Sequence, residues 1–320
     1  MAAPAADARG SLAARDTVTG IAAMIVFTII APGIDVLAKI ATETLPPAQI
    51  SMARFVAQFV TLMPIVIWRR ELRRLTARKL ALHALRGISV AVSTIFFISA
   101  IALMPVADAI AIFFVGPLFL TLLGGLVLGE KVGWRRYTAC AVGFVGALIV
   151  IRPSFAELGP AAFLPVASAA TFILYLLPTR FMSASESVPS MQALAALFGL
   201  AFVALVLALG EGSGSAVFDP VWPDRKDWGM LAIIGVLTTI SHLFLIYAFS
   251  RANASLLAPL QYLEIVSATL FGYMVFSDLP DATRALGIGI VIGSGLYIIW
   301  RERLTARRTR AAERAGIPRD

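Results

Sequence analysis

Ten apolar stretches, each long enough to cross a lipid bilayer as a helix, run through the 320 residues, and the polar segments between them are short. A hydrocarbon core ~30 Å thick needs ~20 mostly apolar residues per helical span, so ten spans use roughly 200 residues and leave no room for a sizeable soluble domain. Hydrophobic residues make up 59% of the chain and charged ones 14%, against ~45–50% and ~25% in soluble domains. Any function has to reside inside a bundle of membrane helices.

The stretches are 20–41, 48–68, 82–103, 108–128, 134–151, 160–179, 189–209, 228–249, 255–276 and 283–300. They read as helices because backbone polar groups in lipid must be satisfied within the segment; membrane strands would be half as long and would alternate apolar with polar. Leu45-Pro46-Pro47, Met104-Pro105, Arg152-Pro153, Glu211-Gly212-Ser213-Gly214 and Asp278-Leu279-Pro280 mark the joints. Between Met104 and Asp108 two spans meet over a short turn; one helix there would be over twice the length a bilayer requires.

Basic residues set the orientation, since Lys and Arg are retained on the cytoplasmic side. With the N-terminus inside, 20 of the 27 basic residues fall on cytoplasmic segments. Only Arg152, Arg225, Lys226 and Arg284 lie opposite, and Lys39, Arg54 and Arg86 lie within spans. Both termini are expected in the cytoplasm, in a multi-pass protein of the inner (plasma) membrane. The net charge of +8 is thus a topology signal and a lipid-headgroup contact of the basic tail, not a nucleic-acid surface. Residues 1–19 form a polar tail with no signal-peptide pattern. Cys140 is the single cysteine, so no internal disulfide can form.

The chain repeats. Ile95–Pro153 and Ser241–Arg301 share one plan: a span ending in Ala102 or Ala248, a short turn, a span with an internal Pro117 or Pro259, a small-acidic pair (Gly129-Glu130 or Ser277-Asp278) and a Gly-rich span. The offset is about 146–148 residues here and nearer 140 earlier in the halves. Residues 20–153 and 160–300 are read as two five-helix repeats, followed by a basic tail at 301–320. Five is odd, so the second repeat enters the membrane from the opposite side. The expected fold is all-α transmembrane: ten helices in two inverted-topology repeats, the usual basis of alternating access in secondary transporters.

The wording of the motifs resembles the drug/metabolite transporter superfamily, in its ten-helix form with two EamA domains. Met104-Pro105-Val106-Ala107-Asp108, Gly129-Glu130-Lys131-Val132-Gly133-Trp134 and Val142-Gly143-Phe144-Val145-Gly146 carry the likeness in the first half. Ala258-Pro259-Leu260-Gln261-Tyr262-Leu263-Glu264 and Gly295-Leu296-Tyr297 carry it in the second. The resemblance covers roughly 20–300. It implies a central cavity and a small-molecule substrate such as an amino acid, a nucleotide-like metabolite such as S-adenosylmethionine, a vitamin such as riboflavin, or a drug. It gives neither direction nor coupling.

Polar groups at membrane depth are the functional candidates. Asp35 and Lys39 share a face of the first span, which Glu43 continues, and Arg54 and Gln58 share a face of the second. This reads as a polar lining with Arg54 on a substrate carboxylate or phosphate, or as ion pairs that lock two helices. Glu264, with Gln261 and Tyr262, lies about ten residues into the ninth span; it could bind a cationic group or carry a coupling proton, or hold spans together by a hydrogen bond. His242 lies deep in the eighth span beside Thr238, Thr239 and Ser241, and Tyr175 matches Asp35 in register. Tyr175, Tyr247 and Tyr262 could stack on a planar substrate or simply pack. His83 and Arg86 are expected to snorkel, and Glu130 and Asp278 to anchor span ends. The small-xxx-small pairs Gly125/Gly129 and Gly289/Gly293 suggest close helix packing within a monomer, or less readily a homodimer. Charges on one half without mates on the other suit a zwitterionic or mixed-charge ligand.

No phosphate-cradling loop is present for ATP, two distant His and one Cys make no persuasive metal site, and no cofactor is expected. The chain reads as a transporter and not an enzyme; the alternatives are an intramembrane hydrolase and a non-transporting structural or receptor protein.

Overall fold

The structure, a computed structural model, describes residues 4–116, 134–182, 186–251 and 254–314. Eleven α-helices account for most of them, with no strand among the described residues. They are α1 (Pro4–Ala41), α2 (Pro47–Trp68), α3 (Ala77–Leu103), α4 (Val106–Phe113), α5 (Trp134–Leu158), α6 (Leu164–Met182), α7 (Val188–Gly210), α8 (Arg225–Arg251), α9 (Ala254–Gln261), α10 (Leu263–Phe276) and α11 (Ala282–Arg314). Seven helical segments among the described residues are long and apolar enough to cross a membrane. Short 3-10 turns at Glu71–Arg74 and Gly159–Phe163 join α2 to α3 and α5 to α6.

Two spans differ from the sequence expectation, and a third is described only in part. The ninth is not one helix: it breaks between Gln261 and Leu263 into α9 and α10. Pro259 has no N–H to give, and the chain tightens after it through a Tyr262 N–H bond to the Pro259 carbonyl at 3.3 Å. The fifth does not stop at Arg152-Pro153. α5 runs on to Leu158, where Gly159 at φ +59° ends it in the left-handed conformation. The fourth is described only at its start: α4 ends at Phe113, and Gly125, Gly129, Glu130 and Lys131 lie outside the described residues.

The packing carries the repeat. The main pairings are α1 with α8, α3 with α6, α2 with α7 and α5 with α11, with α4 on α10. A dyad that exchanges the repeats sends the first pair into the second and each of the others into itself. Single residues obey it. Gly87 of α3 is held against α7, where a Cβ would lie 2.6 Å from the Ala195 carbonyl and 2.9 Å from the Gly199 nitrogen. Gly235 of α8 is held against α2, 2.8 Å from Ala57 and 3.1 Å from the Ala53 carbonyl. Gly87 and Gly235 are 148 positions apart; Ala53 and Ala195, like Ala57 and Gly199, are 142 apart. The dyad passes between Phe114 and Tyr262, also 148 apart, whose rings stack at 4.9 Å.

Close approach also joins α5 to α11, where Gly146 and Gly287 each leave room for the other's carbonyl. Gly289 and Gly293, expected at a close seam, meet nothing within 4 Å among the described residues. All five tryptophans are exposed and sit at or beside the ends of apolar segments. Trp68, Trp134 and Trp300 mark the end rich in Arg and Lys, and Trp222 and Trp228 the opposite end, as two membrane interfaces require.

Candidate functional site

Four helices bring polar groups together within the apolar bundle. Asp35 projects from α1, three residues after the Pro32 that loosens this helix. Arg54 reaches it from α2, with 3.6 Å between guanidinium and carboxylate. The Arg54 Nε also donates to the Thr238 hydroxyl of α8 at 3.3 Å. One turn further along α8, His242 bonds through Nδ1 to the Thr238 carbonyl at 2.8 Å. Glu264 enters from the first turn of α10, immediately after the break, within electrostatic reach of Asp35.

Gln58 is buried on the Arg54 face of α2. A buried ion pair like that of Asp35 and Arg54 gains little unless its remaining hydrogen-bonding capacity is met. Here one guanidinium edge is met by a single long hydroxyl contact. A ligand carboxylate or phosphate could take the rest, and Glu264 offers a counter-charge for a cationic group.

Tyr262, at the break itself, is 5% exposed, and its hydroxyl has no hydrogen-bond partner among the described residues. The phenol lies in the groove of α11 left by Gly295, where any Cβ would collide with the ring. Gln261 ends α9 beside it.

The other candidates lie elsewhere. Lys39 turns from Asp35 to the end opposite the basic one. Its ammonium donates to the Met104 carbonyl at 2.9 Å, pairs with Asp278 at 3.7 Å and lies 4.9 Å from the Phe276 ring centre. It borders a cavity of about 630 Å³ with Glu43, Phe96, Ser99, Val217 and Phe276. Nearby, buried Asp108 meets Arg284 at 3.3 Å.

Tyr175 belongs to the dyad-related group on α3, α6 and α7. Its hydroxyl donates to Gln192 at 2.9 Å, and its ring lies under the Arg86 guanidinium at 4.8 Å. Arg86 and His83 do not snorkel: they are 1% and 0% exposed. Arg86 donates to the Thr179 hydroxyl at 2.8 Å and the Met191 carbonyl at 2.9 Å. Helix partners outcompete solvent here because α6 and α7 present acceptors at the Arg86 level. Gln192, inside the apolar run of α7, was a legible signal for this group. Glu186 and Lys79 carried none beyond their loop positions.

The Tyr175 group is extended by an aromatic file, Phe97–Phe113–Phe172–Tyr175, with neighbouring centroids 5.4–5.5 Å apart. The two polar groups lie on symmetry-related helices, each around an arginine: Arg54 in the group that ends at Glu264, and buried Arg86 in the group continued by aromatics.

The chain is similar to several known transporters. The chain is 27% identical to an S-adenosylmethionine uptake transporter of Rickettsia felis, over 91% of this chain and 95% of that one. It is 28% identical to a riboflavin transporter of Brucella anthropi, over 82% and 91%. It is 29% identical to a pseudopaline exporter of Pseudomonas aeruginosa, over 80% and 87%. One solved crystal structure, 21% identical, superposes with a TM-score of 0.56 over 88% of this chain and 96% of that one, a likeness of fold. The EamA-like transporter family matches twice, at residues 18–152 and 159–300. A multi-pass helical protein built of two such repeats, this chain belongs to the EamA-like transporter family, whose small-molecule transport it shares.

Proposed function

We propose that this transporter moves an organic metabolite bearing both a cationic and an anionic group, unchanged, by alternating access across the inner membrane, with both termini in the cytoplasm. One observation carries the reading: Arg54 is only partly satisfied by Asp35 and Thr238, and Glu264 enters at a helix break within electrostatic reach of Asp35. Discontinuous spans that bring charged groups to mid-bundle are where transporters of inverted-repeat design hold their cargo. Arg54 takes the anionic group; Glu264, with Gln261, takes the cationic one; Tyr262 and His242 flank them, and Gln58 supplies a neutral contact. The relatives' names put S-adenosylmethionine, which has an amino-acid end and a sulfonium, and riboflavin first among compounds to try. Coupling to a proton at Glu264 completes the reading, with transport by a monomer or a homodimer.

Reconstitution tests it. Proteoliposomes holding the purified chain should accumulate or equilibrate S-adenosylmethionine or an amino acid and recover it chemically intact; flux of neutral riboflavin or a nucleoside alone would keep the transporter reading and overturn the two-charge cargo. Chemical conversion of the solute would turn the reading to an intramembrane enzyme. Binding without flux would turn it to a receptor.

A further inference from the structure

The dyad relates not only helices but the contacts that close the two ends of the bundle. At the basic end, the α6–α7 connector presents Glu186 to α3. Its carboxylate pairs with Lys79 at 3.1 Å and bonds to His83 Nε2 at 2.8 Å. Beside it Ser187, which caps α7, donates to Glu71 in the α2–α3 connector. At the opposite end, the α1–α2 connector presents Thr44 to α8, and its hydroxyl donates to Asp227 at 2.8 Å. Beside it, the Gln49 side chain exchanges two hydrogen bonds with the backbone of Val221 in the α7–α8 connector, at 2.9 and 3.1 Å, and the Ala48 N–H donates to Val217 at 3.2 Å. Lys79 and Asp227 are 148 positions apart and Thr44 and Glu186 are 142 apart. These are the offsets that match Gly87 to Gly235 and Ala53 to Ala195. The two sets are one latch, written twice with different chemistry.

The chemistry differs in a way that matters for opening. Glu186 is 6% exposed in its side chain and His83 fully buried. Parting α3 from the α6–α7 connector strips a buried carboxylate of both partners at once. The Gln49–Val221 bonds are exposed, so parting that end exchanges them for bonds to water at small net loss, and buried Asp227 gives up the Thr44 hydroxyl but keeps the Asp224 N–H on its own side. The cavity lies directly behind this weaker end, bordered by Thr42, Glu43, Pro47 and Val217. We propose that these two dyad-related latches are the gates of the transport cycle, and that their inequality sets the resting state: sealed at Glu186, ready to open at Thr44. The proposal rests on the transporter reading, and on nothing about the identity of the cargo.

Single-cysteine reporters test it in a Cys140→Ser background. Ser99→Cys borders the cavity behind the Thr44 latch, and Ser89→Cys is buried one turn beyond Arg86 behind the Glu186 latch. In proteoliposomes, a polar maleimide should label Ser99→Cys faster. Adding Glu186→Gln should raise the labelling rate of Ser89→Cys by at least about tenfold, the factor carried by one lost charge-assisted hydrogen bond, and should lower that of Ser99→Cys. Gln49→Ala should change either rate less than about threefold, as loss of exposed neutral bonds implies. An unchanged Ser89→Cys rate in folded Glu186→Gln overturns the proposal. If Glu186→Gln does not fold, Glu71→Cys with Ser187→Cys replaces it. Oxidation should stop flux and reduction restore it; undiminished flux in the oxidised pair overturns the proposal. Wild-type protein without flux for any solute would sink the transporter reading, while the labelling rates would still decide the latches.

Discussion

Gly87→Ala adds one methyl group at the seam where α3 meets α7. The new Cβ would fall 2.6 Å from both the Ala195 carbonyl oxygen and the Phe198 Cβ, and 2.9 Å from the Gly199 nitrogen. Non-bonded atoms rest at about 3.5–4.0 Å, so the two helices must part by roughly 1 Å. Two of the three atoms are backbone, and no rotamer change relieves them. Overpacking of this kind costs about 1–3 kcal/mol, while the better helix propensity of Ala returns at most about 1 kcal/mol. A net loss of about 2 kcal/mol is expected. Gly229→Ala is the control: it lies in a helix of the same bundle, exposed, with nothing within 4 Å. It should gain up to about 1 kcal/mol. Reversible unfolding in mixed micelles should therefore separate the two variants by about 2–3 kcal/mol. Gly235→Ala, at 2.8 Å from a side chain and 3.1 Å from a carbonyl, should fall between them. Equal shifts for Gly87→Ala and Gly229→Ala would refute the close seam and the residue-level dyad built on it.

Arg54→Ala strands the Asp35 carboxylate and should cost about 3–5 kcal/mol if Asp35 stays charged, with flux lost. Asp35→Asn combined with Arg54→Gln should recover most of the stability but not the flux; recovered flux would reduce the pair to a helix lock. Glu264→Gln keeps shape and hydrogen bonding but cannot ionise, so it should fold and flatten the pH dependence of transport. A pH profile matching the parent's would return Glu264 to a structural role. Reporter fusions after Arg74 and after Arg301 should both read cytoplasmic and one within Glu211–Asp227 external; an external signal after Arg301 contradicts the odd number of spans per repeat.

Among the described residues hydropathy alone located the helices, because a bilayer demands length and apolarity together. Register within a span was less legible. The break at Tyr262 has its cause in Pro259, yet Pro153 sits inside α5 without ending it; the residue type alone does not say which span is interrupted. Asp35 and Arg54 were readable as one possible pair, since each is a charge within an apolar run, with Lys39 as the rival partner of Asp35. Lys39 was misleading: it shares the Asp35 face by spacing, but the ends of α3 and α10 offer it Met104 and Asp278. Arg86 looked peripheral because its position near a span end was visible and the acceptors on α6 and α7 were not.

Phe114 and Tyr262 occupy equivalent positions in the two repeats and touch each other. In a dimer of identical five-helix chains, inserted in opposite senses, that contact would be a residue meeting its own copy, and only self-complementary side chains could stand there. One continuous chain lifts the restriction. Phe can stay on one side while Tyr, with a hydroxyl fitted against Gly295, stands on the other. The same freedom lets Gly116 stand in one repeat at the position that Glu264 takes in the other, so that a duplicated scaffold carries that carboxylate once. Descent from such a paired ancestor would make the join between the repeats the event that allowed cargo with two unlike ends to be told apart.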